Sequence, residues 1–243
     1  MGGGAGVYYT SGDWSISTSY LSTNAASSCP DNRAANCVAG GVDISGGFMT
    51  DAAGSSATTQ IAYAPENWGA AVAYTYSSEN VSSGATAPTS NGTQKAGAAY
   101  GIGNGHSYGI SAWWTPEDSG LIPSISAGMG QSFIDDGTTG IDIDYELTSW
   151  YVGFEWDDAF IDGNSLGFAV GQPTWVSKTT GDDKATKTED DPGYAFELFY
   201  KFQVTDNITV TPALTYLSKP YSNSAADNEI SAFSGLVKTT FKF

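Results

Sequence analysis

Apolar and polar side chains alternate most clearly near the C-terminus of the chain. Between residues 194 and 204, aromatic or aliphatic side chains occupy the even positions, while Glu197, Lys201 and Gln203 occupy odd ones, with Phe199 as the exception. Successive side chains of a β-strand point to opposite faces, so this period of two predicts a strand with one apolar and one polar face. Asp206 and Asn207 then predict a tight turn into a second strand.

The same period recurs along the chain and predicts about twelve strands. Residues 95–102 are expected to form one of them, with a hairpin turn at residues 103–105. Short and long connections mostly alternate. Counting back from the C-terminus, however, places this hairpin among the long loops. Either a strand is miscounted between residues 94 and 133, or the loop at residues 80–93 is a long connection on the periplasmic side of the membrane.

These strands fit the wall of a membrane barrel better than a packed core. Aromatic residues lie at both ends of the apolar faces, and the opposite faces carry charges of both signs. Strands of roughly 9–11 residues with aromatic residues near their ends are typical of transmembrane barrels. We therefore predict an all-β fold, a transmembrane antiparallel β-barrel of the outer-membrane porin type. A soluble β-sandwich is the alternative.

Composition limits the class of partner. The 243 residues fit one domain, residues 1–243, and carry a formal net charge of −17, which argues against a nucleic-acid partner. No run of 18 or more apolar residues predicts a transmembrane helix. The start, MGGGAGVYYT, lacks the features of a signal peptide. Because an outer-membrane protein is exported, we expect the natural protein to begin upstream of Met1.

The sequence offers no catalytic or metal-binding constellation. The single histidine, His106, lies beside a predicted turn, and no Ser/His/acid arrangement is indicated, so we expect neither an enzyme nor a cofactor. Cys29 and Cys37 are spaced for a small disulfide-closed loop in an oxidising compartment. A zinc site is not expected, since the chain has only one histidine and no further thiol.

Two groups of charged residues are candidates for contact with solutes. The first lies on polar strand faces and would either line a lumen or pair to stiffen the wall: Lys95, Glu155, Glu197, Lys201, Lys238 and Lys242. The second would form acidic loops that either attract cations or are simply solvated: Asp142, Asp144, Glu146, Asp182 and Asp183.

Several segments resemble the cyanobacterial iron uptake porins, within the carbohydrate-selective porin family. The resemblance covers roughly residues 48–243 and is most specific at the C-terminal end. It is carried by WWTPEDSGLIPSISAGMG (residues 113–130), SWYVGFEWDDAF (149–160), LGFAVGQPTWV (166–176), FYKFQVTDNITVTPALTYLS (199–218) and GLVKTTFKF (235–243).

The resemblance implies a barrel of about sixteen strands, of which this chain supplies the C-terminal part. The family's signal peptide, S-layer-homology region and first strands would precede it. The resemblance also implies an outer-membrane location, an assembly signal at Phe241 and Phe243 for the barrel assembly machinery, and contact with outer-membrane lipid. A homotrimer is the oligomer to be tested.

The function that follows is passive diffusion of small hydrophilic solutes and ions, with inorganic iron or carbohydrates as the narrower classes. The alternatives from other classes are a structural protein that anchors the envelope and a soluble β-sandwich that binds a ligand.

Overall fold

A computed structural model describes most of the chain. The described residues are 3–22, 38–39, 42–43, 54–78, 92–99, 103–117, 120–135, 143–181, 186–188, 193–219 and 231–242. Cys29, Cys37, Asp142, Asp182, Asp183 and Phe243 lie outside them.

The described residues form fourteen strands and one short helix. The strands are β1 (Gly3–Ser11), β2 (Trp14–Ser22), β3 (Val38–Ala39), β4 (Val42–Asp43), β5 (Ser55–Tyr63), β6 (Trp68–Ser77), β7 (Asn104–Trp114), β8 (Ser124–Asp135), β9 (Asp144–Asp157), β10 (Ser165–Thr180), β11 (Thr186–Thr188), β12 (Ala195–Thr205), β13 (Ile208–Ser218) and β14 (Ser231–Phe241). The helix α1 spans Gln94–Ala99.

Twelve of the strands belong to one antiparallel sheet. Eleven follow each other in the order β1-β2-β5-β6-β7-β8-β9-β10-β12-β13-β14, and β11 pairs with β10 beside this path. The strands β3 and β4 pair only with each other. Among the described residues no ladder joins β1 to β14. Neighbours in sequence are thus neighbours in the sheet, as in an up-and-down barrel wall, and the predicted all-β barrel class is confirmed.

The connections differ in length between the two ends of the strands. At one end they are residues 12–13, 64–67, 115–123, 158–164 and 206–207, and this end is called the short-turn rim. At the other end they are residues 23–54, 78–103, 136–143, 181–194 and 219–230, and this end is called the long-loop rim. The connections at residues 115–123 and 136–143 are similar in length, and the others follow the arrangement of bacterial outer-membrane barrels, with short turns at one end and long loops at the other.

The prediction of a strand at residues 95–102 is wrong, and so is that of a hairpin at residues 103–105. Residues Gln94–Ala99 form α1, and β7 already begins at Asn104. The pattern misled because most of its apolar positions are alanines, which favour a helix at least as well as a strand. Without this strand, the connection at residues 78–103 joins the other long connections on the long-loop rim.

One face of the sheet, called the outer face, is apolar and exposed. Its middle carries aliphatic side chains such as Val72, Ile110 and Met129, each more than half exposed. Ring contacts border this band near the short-turn rim, where the Trp14 and Tyr63 centroids are 4.8 Å apart. Near the long-loop rim, the Tyr74 and Tyr108 centroids are 5.3 Å apart. An exposed aliphatic band between two aromatic girdles is the surface that a barrel presents to lipid.

The opposite face, called the inner face, surrounds a cavity. Residues from strands as far apart as β5 and β13 line the same cavity, so the sheet must curl around it. In the described part of the chain, no helix has the length and apolar character needed to cross a membrane.

The outer face yields a prediction about lipid contact. Phe196 lies on it in register with Val170, and Glu197 lies on the inner face in register with Ala169. Phe196→Arg should lower the free energy of unfolding in lipid vesicles by about 2–4 kcal/mol, since it places a charge in hydrocarbon. Glu197→Arg is the matched control and should change it far less. Equal effects in urea titrations of the two variants would contradict the assignment of faces.

Candidate functional site

The cavity of about 940 Å³ on the inner face is lined mainly by small side chains. Alternate residues of six strands supply them: Ala71, Ala73, Gly109, Ser111, Gly128, Gly130, Ser149, Ala169, Gly171 and Ala195. These positions pair with each other across the ladders, as Ser111 does with Ala71 and Gly128. Small side chains at successive inner-face positions of each strand leave the interior open instead of filling it. The inner face therefore bounds a space and not a packed core.

The structure places five of the six predicted lumen residues on or directly after strands, and Lys95 in a helix. Glu197 lines the large cavity, and Glu155 lines a smaller one described below. Lys201 pairs in register with Ser165, and Lys238 pairs with Thr211, on the same face. Lys242 follows the end of β14 and is exposed.

These charges do not pair with each other. Among the described residues, the ion pair between Lys178 and Glu146, with Nζ and Oε1 2.5 Å apart, is the only one. The described predicted lumen residues on or after strands, Glu155, Glu197, Lys201, Lys238 and Lys242, therefore have no ion-pair partner among the described residues. Mutual pairing that stiffens the wall, the other interpretation of the sequence, finds no support in these distances.

The acidic candidates do not form one group. Glu146 lies inside β9 and pairs with Lys178, so it is not part of a loop. Asp144 is the first residue of β9 and is exposed. The structure brings neither of them to the large cavity. Phe241, a predicted assembly residue, ends β14 and is 56 % exposed.

Lys95 lies in α1 rather than on a strand. Thr93 caps this helix, because its Oγ1 accepts a hydrogen bond from the Ala96 N–H at 3.3 Å. The Thr93 N–H donates to the Thr174 carbonyl at 2.8 Å. Thr174 and Pro173 form a bulge in β10, where neither has a partner on β9. The bulge thus presents a backbone acceptor that anchors α1 to the wall.

An apolar patch on the inner face lies beneath α1. Ala96 and Ala99 pack with Ile134, Leu147 and Val176, and all five side chains are buried. Leu147 pairs with Ser132 on β8 and with Val176 on β10, which places the patch near the long-loop rim of these strands. The segment containing α1 therefore folds onto the inner face and occupies part of the interior.

Sequence reasoning missed this arrangement, although a signal was present. Ile134, Leu147 and Val176 are large aliphatic residues at positions where the neighbouring inner-face residues are small or polar. Such residues on a water-facing wall indicate that another segment covers them.

Three aromatic side chains on the inner face cover glycines of the adjacent strand. A Cβ atom at Gly69 would lie 2.5 Å from Trp113 Nε1, and one at Gly128 would lie 2.6 Å from Tyr151 Cε1. A Cβ atom at Gly167 would overlap the ring of Phe199. These glycines thus provide the space in which each ring rests against the wall.

His106 has a structural place on the outer face. The Tyr74 hydroxyl lies 2.8 Å from His106 Nδ1, and the rings of Tyr74 and Tyr76 are within 6.0 Å of the imidazole. The described residues contain no group of three His, Cys, Asp or Glu side chains that could hold a metal ion.

The family model described as carbohydrate-selective porin, OprB family, matches residues 3–243. Two cyanobacterial proteins are similar in sequence. Uncharacterized protein alr4550 of Nostoc sp. is 34 % identical over 139 residues, which cover 57 % of this chain and 22 % of that protein. Uncharacterized protein sll0772 of Synechocystis sp. is 28 % identical over 266 residues, covering all of this chain and 43 % of that protein. The chain thus spans less than half the length of these relatives.

Solved porins share the fold. A porin refined at 1.8 Å resolution matches with a TM-score of 0.51 and 10 % identity over 98 % of this chain and 60 % of that chain. OmpT of Vibrio cholerae in its trimer form matches with a TM-score of 0.56 and 11 % identity over 98 % of this chain and 64 % of that chain. At this identity the likeness shows the fold alone.

The packing of α1 leads to a prediction. Leu147→Ala removes most of the inner-face contact beneath α1 and should weaken its docking by about 2–5 kcal/mol. Hydrogen exchange should then quicken at the Gly97 amide, which donates to the Thr93 carbonyl at 3.0 Å. Leu214→Ala, on the outer face, is the control and should leave this amide protected. Unchanged exchange at Gly97 in the Leu147 variant would show that the patch does not hold the helix.

Proposed function

Because the chain belongs to the OprB family of carbohydrate-selective porins, we propose that it forms part of the wall of a water-filled channel. The chain is an outer-membrane protein, and small hydrophilic solutes and ions would diffuse passively through this channel. The protein would need no cofactor and would catalyse no reaction, because diffusion requires only an open path and a favourable lining.

The observation that carries the proposal is the contrast between the two faces of one sheet. The outer face exposes an aliphatic band between two aromatic girdles. The inner face bounds a cavity of about 940 Å³ with small side chains and with Glu197, which has no ion-pair partner among the described residues. A sheet that is apolar outside and small and polar inside separates lipid from water.

The solute class is the finer part of the proposal. Small neutral carbohydrates fit the family description and an inner wall rich in Gly, Ala and Ser. Inorganic iron would pass as a hydrated ion, since the described residues hold no cluster that could bind it. Uptake of labelled glucose and of ferric or ferrous ions into vesicles containing the protein would rank these solutes.

The proposed partners are lipid, a second and third copy of the protein, and the assembly machinery. A homotrimer is supported by the trimer form of OmpT from Vibrio cholerae, a solved porin with the same fold. Phe233, Val237 and Phe241 are all more than half exposed on the outer face of β14. This regular apolar face on the last strand supports recognition by barrel assembly machinery through strand pairing.

Pore width gives the most direct prediction. Ser111 faces the cavity, and its neighbour Ala112 faces outward. Ser111→Trp should reduce single-channel conductance in planar bilayers, because the indole would occupy part of the open cross-section. Ala112→Trp adds the same volume on the lipid side and should leave conductance close to that of the wild type. A wild-type protein that inserts without conducting would instead favour the structural role in the envelope.

Ion selectivity gives a second prediction. Glu197→Lys reverses a charge that lines the cavity, so the reversal potential in a KCl gradient should shift toward anion preference. Glu66→Lys makes the same change in the exposed turn at residues 64–67 and should shift it less. If the Glu66 variant shifts the potential as much as the Glu197 variant, Glu197 does not line the conducting path.

A further inference from the structure

A second, smaller cavity lies on the inner face, closer to the short-turn rim than the region that α1 covers. Its volume is about 250 Å³, and its lining includes the rings of Trp113, Tyr151 and Phe199 and the carboxylate of Glu155. Ser126, Gly153 and Ala169 pair with each other across β8, β9 and β10 and form its floor. Small floor residues between larger rings give this cavity the shape of a shallow pocket.

The rings are held in place by the glycines that they cover. Tyr151 rests over Gly128 on β8, and Phe199 rests over Gly167 on β10. A larger residue at either glycine would collide with the ring, as the close approach of a Cβ atom shows. The aromatic sides of the pocket are therefore already formed in the structure without a ligand, which favours binding.

The charge of the pocket is negative. Glu155 is the one ionisable carboxylate or ammonium group in its described lining, and it has no ion-pair partner among the described residues. Glu155 pairs in register with Ser124 and Gly167. The inner-face Lys201 pairs with Ser165, which precedes Gly167 by two residues on β10 and is closer to the short-turn rim. The whole chain carries a formal net charge of −17, which raises the local concentration of cations.

We propose that this pocket binds small organic cations with alkyl substituents, such as quaternary ammonium compounds. The inference rests on the proposed channel, because the ligand would reach the pocket through it. Aromatic rings attract such cations through their negative faces, and the alkyl groups favour contact with the rings over water. The Glu155 carboxylate supplies the opposite charge. K⁺ and Na⁺ retain their water shells more firmly and gain less from the rings.

The test is current block in planar bilayers that contain the full-length protein in KCl. Tetramethylammonium chloride should reduce the current at concentrations at which neither glucose nor NaCl reduces it. Glu155→Gln and Tyr151→Leu should each raise the apparent dissociation constant for tetramethylammonium by about two- to fivefold. The block is measured in each variant relative to that variant's own KCl current. Phe233→Leu, on the outer face of β14 and outside the lining of the pocket, is the control and should leave the dissociation constant unchanged.

The outcomes separate the pocket from the channel. KCl conductance without block by tetramethylammonium would overturn the pocket and leave the channel standing. Block by glucose that depends on Tyr151 and Glu155 would make this a site for neutral solutes and would also overturn the inference. If the protein does not conduct at all, the channel proposal fails. Titration of the detergent-solubilised protein with tetramethylammonium, followed by tryptophan fluorescence in the wild type and Tyr151→Leu, then decides whether the pocket binds.

Discussion

Backbone hydrogen bonding in a medium without water is the constraint on which this structure depends. Lipid offers no donors or acceptors, so each strand must satisfy its N–H and C=O groups on its two neighbours. Nine strands of the main sheet pair on both sides, and β1 and β14, at the two ends of the strand order, each pair on one side among the described residues. Because side chains of paired strands alternate together, the same ladders that satisfy the backbone also sort the side chains into an outer and an inner set. The lipid-facing wall and the lined interior are two consequences of one pairing pattern.

The interior departs from a plain wall at two places, and each depends on a local break in the pattern. Near the long-loop rim, the bulge at Pro173 and Thr174 provides a backbone acceptor for Thr93, and an aliphatic patch lies beneath α1. Nearer the short-turn rim, glycines leave room for three aromatic rings. The helix α1 narrows the space enclosed by the sheet. The three rings give the inner face an aromatic surface near the short-turn rim. A solute passing along the inner face would meet both.

Period-two alternation was sufficient to predict the all-β fold and most of its strands, because lipid and water impose opposite demands on adjacent residues. It failed at residues 95–102, where alanine satisfies both a strand and a helix pattern and only packing against Leu147 and Val176 decides. The alternation pattern also could not predict the small aromatic pocket on the inner face. The register between strands decides which ring covers which glycine, and a pattern within one strand does not contain that register. Glu146 was assigned to a loop for a similar reason, since its partner Lys178 is distant in sequence.

The central claim is that alternate residues of one strand face water and lipid, and cysteine accessibility along β7 tests it most directly. Single cysteines would replace residues 107–113 one at a time, in a protein whose Cys29 and Cys37 are changed to serine. A charged, water-soluble thiol reagent should modify positions 109, 111 and 113 of the inner face, and position 107 more slowly, because Ser107 is buried against Ser132. Positions 108, 110 and 112 should stay unmodified in intact membranes. Equal labelling of both sets, or labelling of the even set alone, would contradict the account.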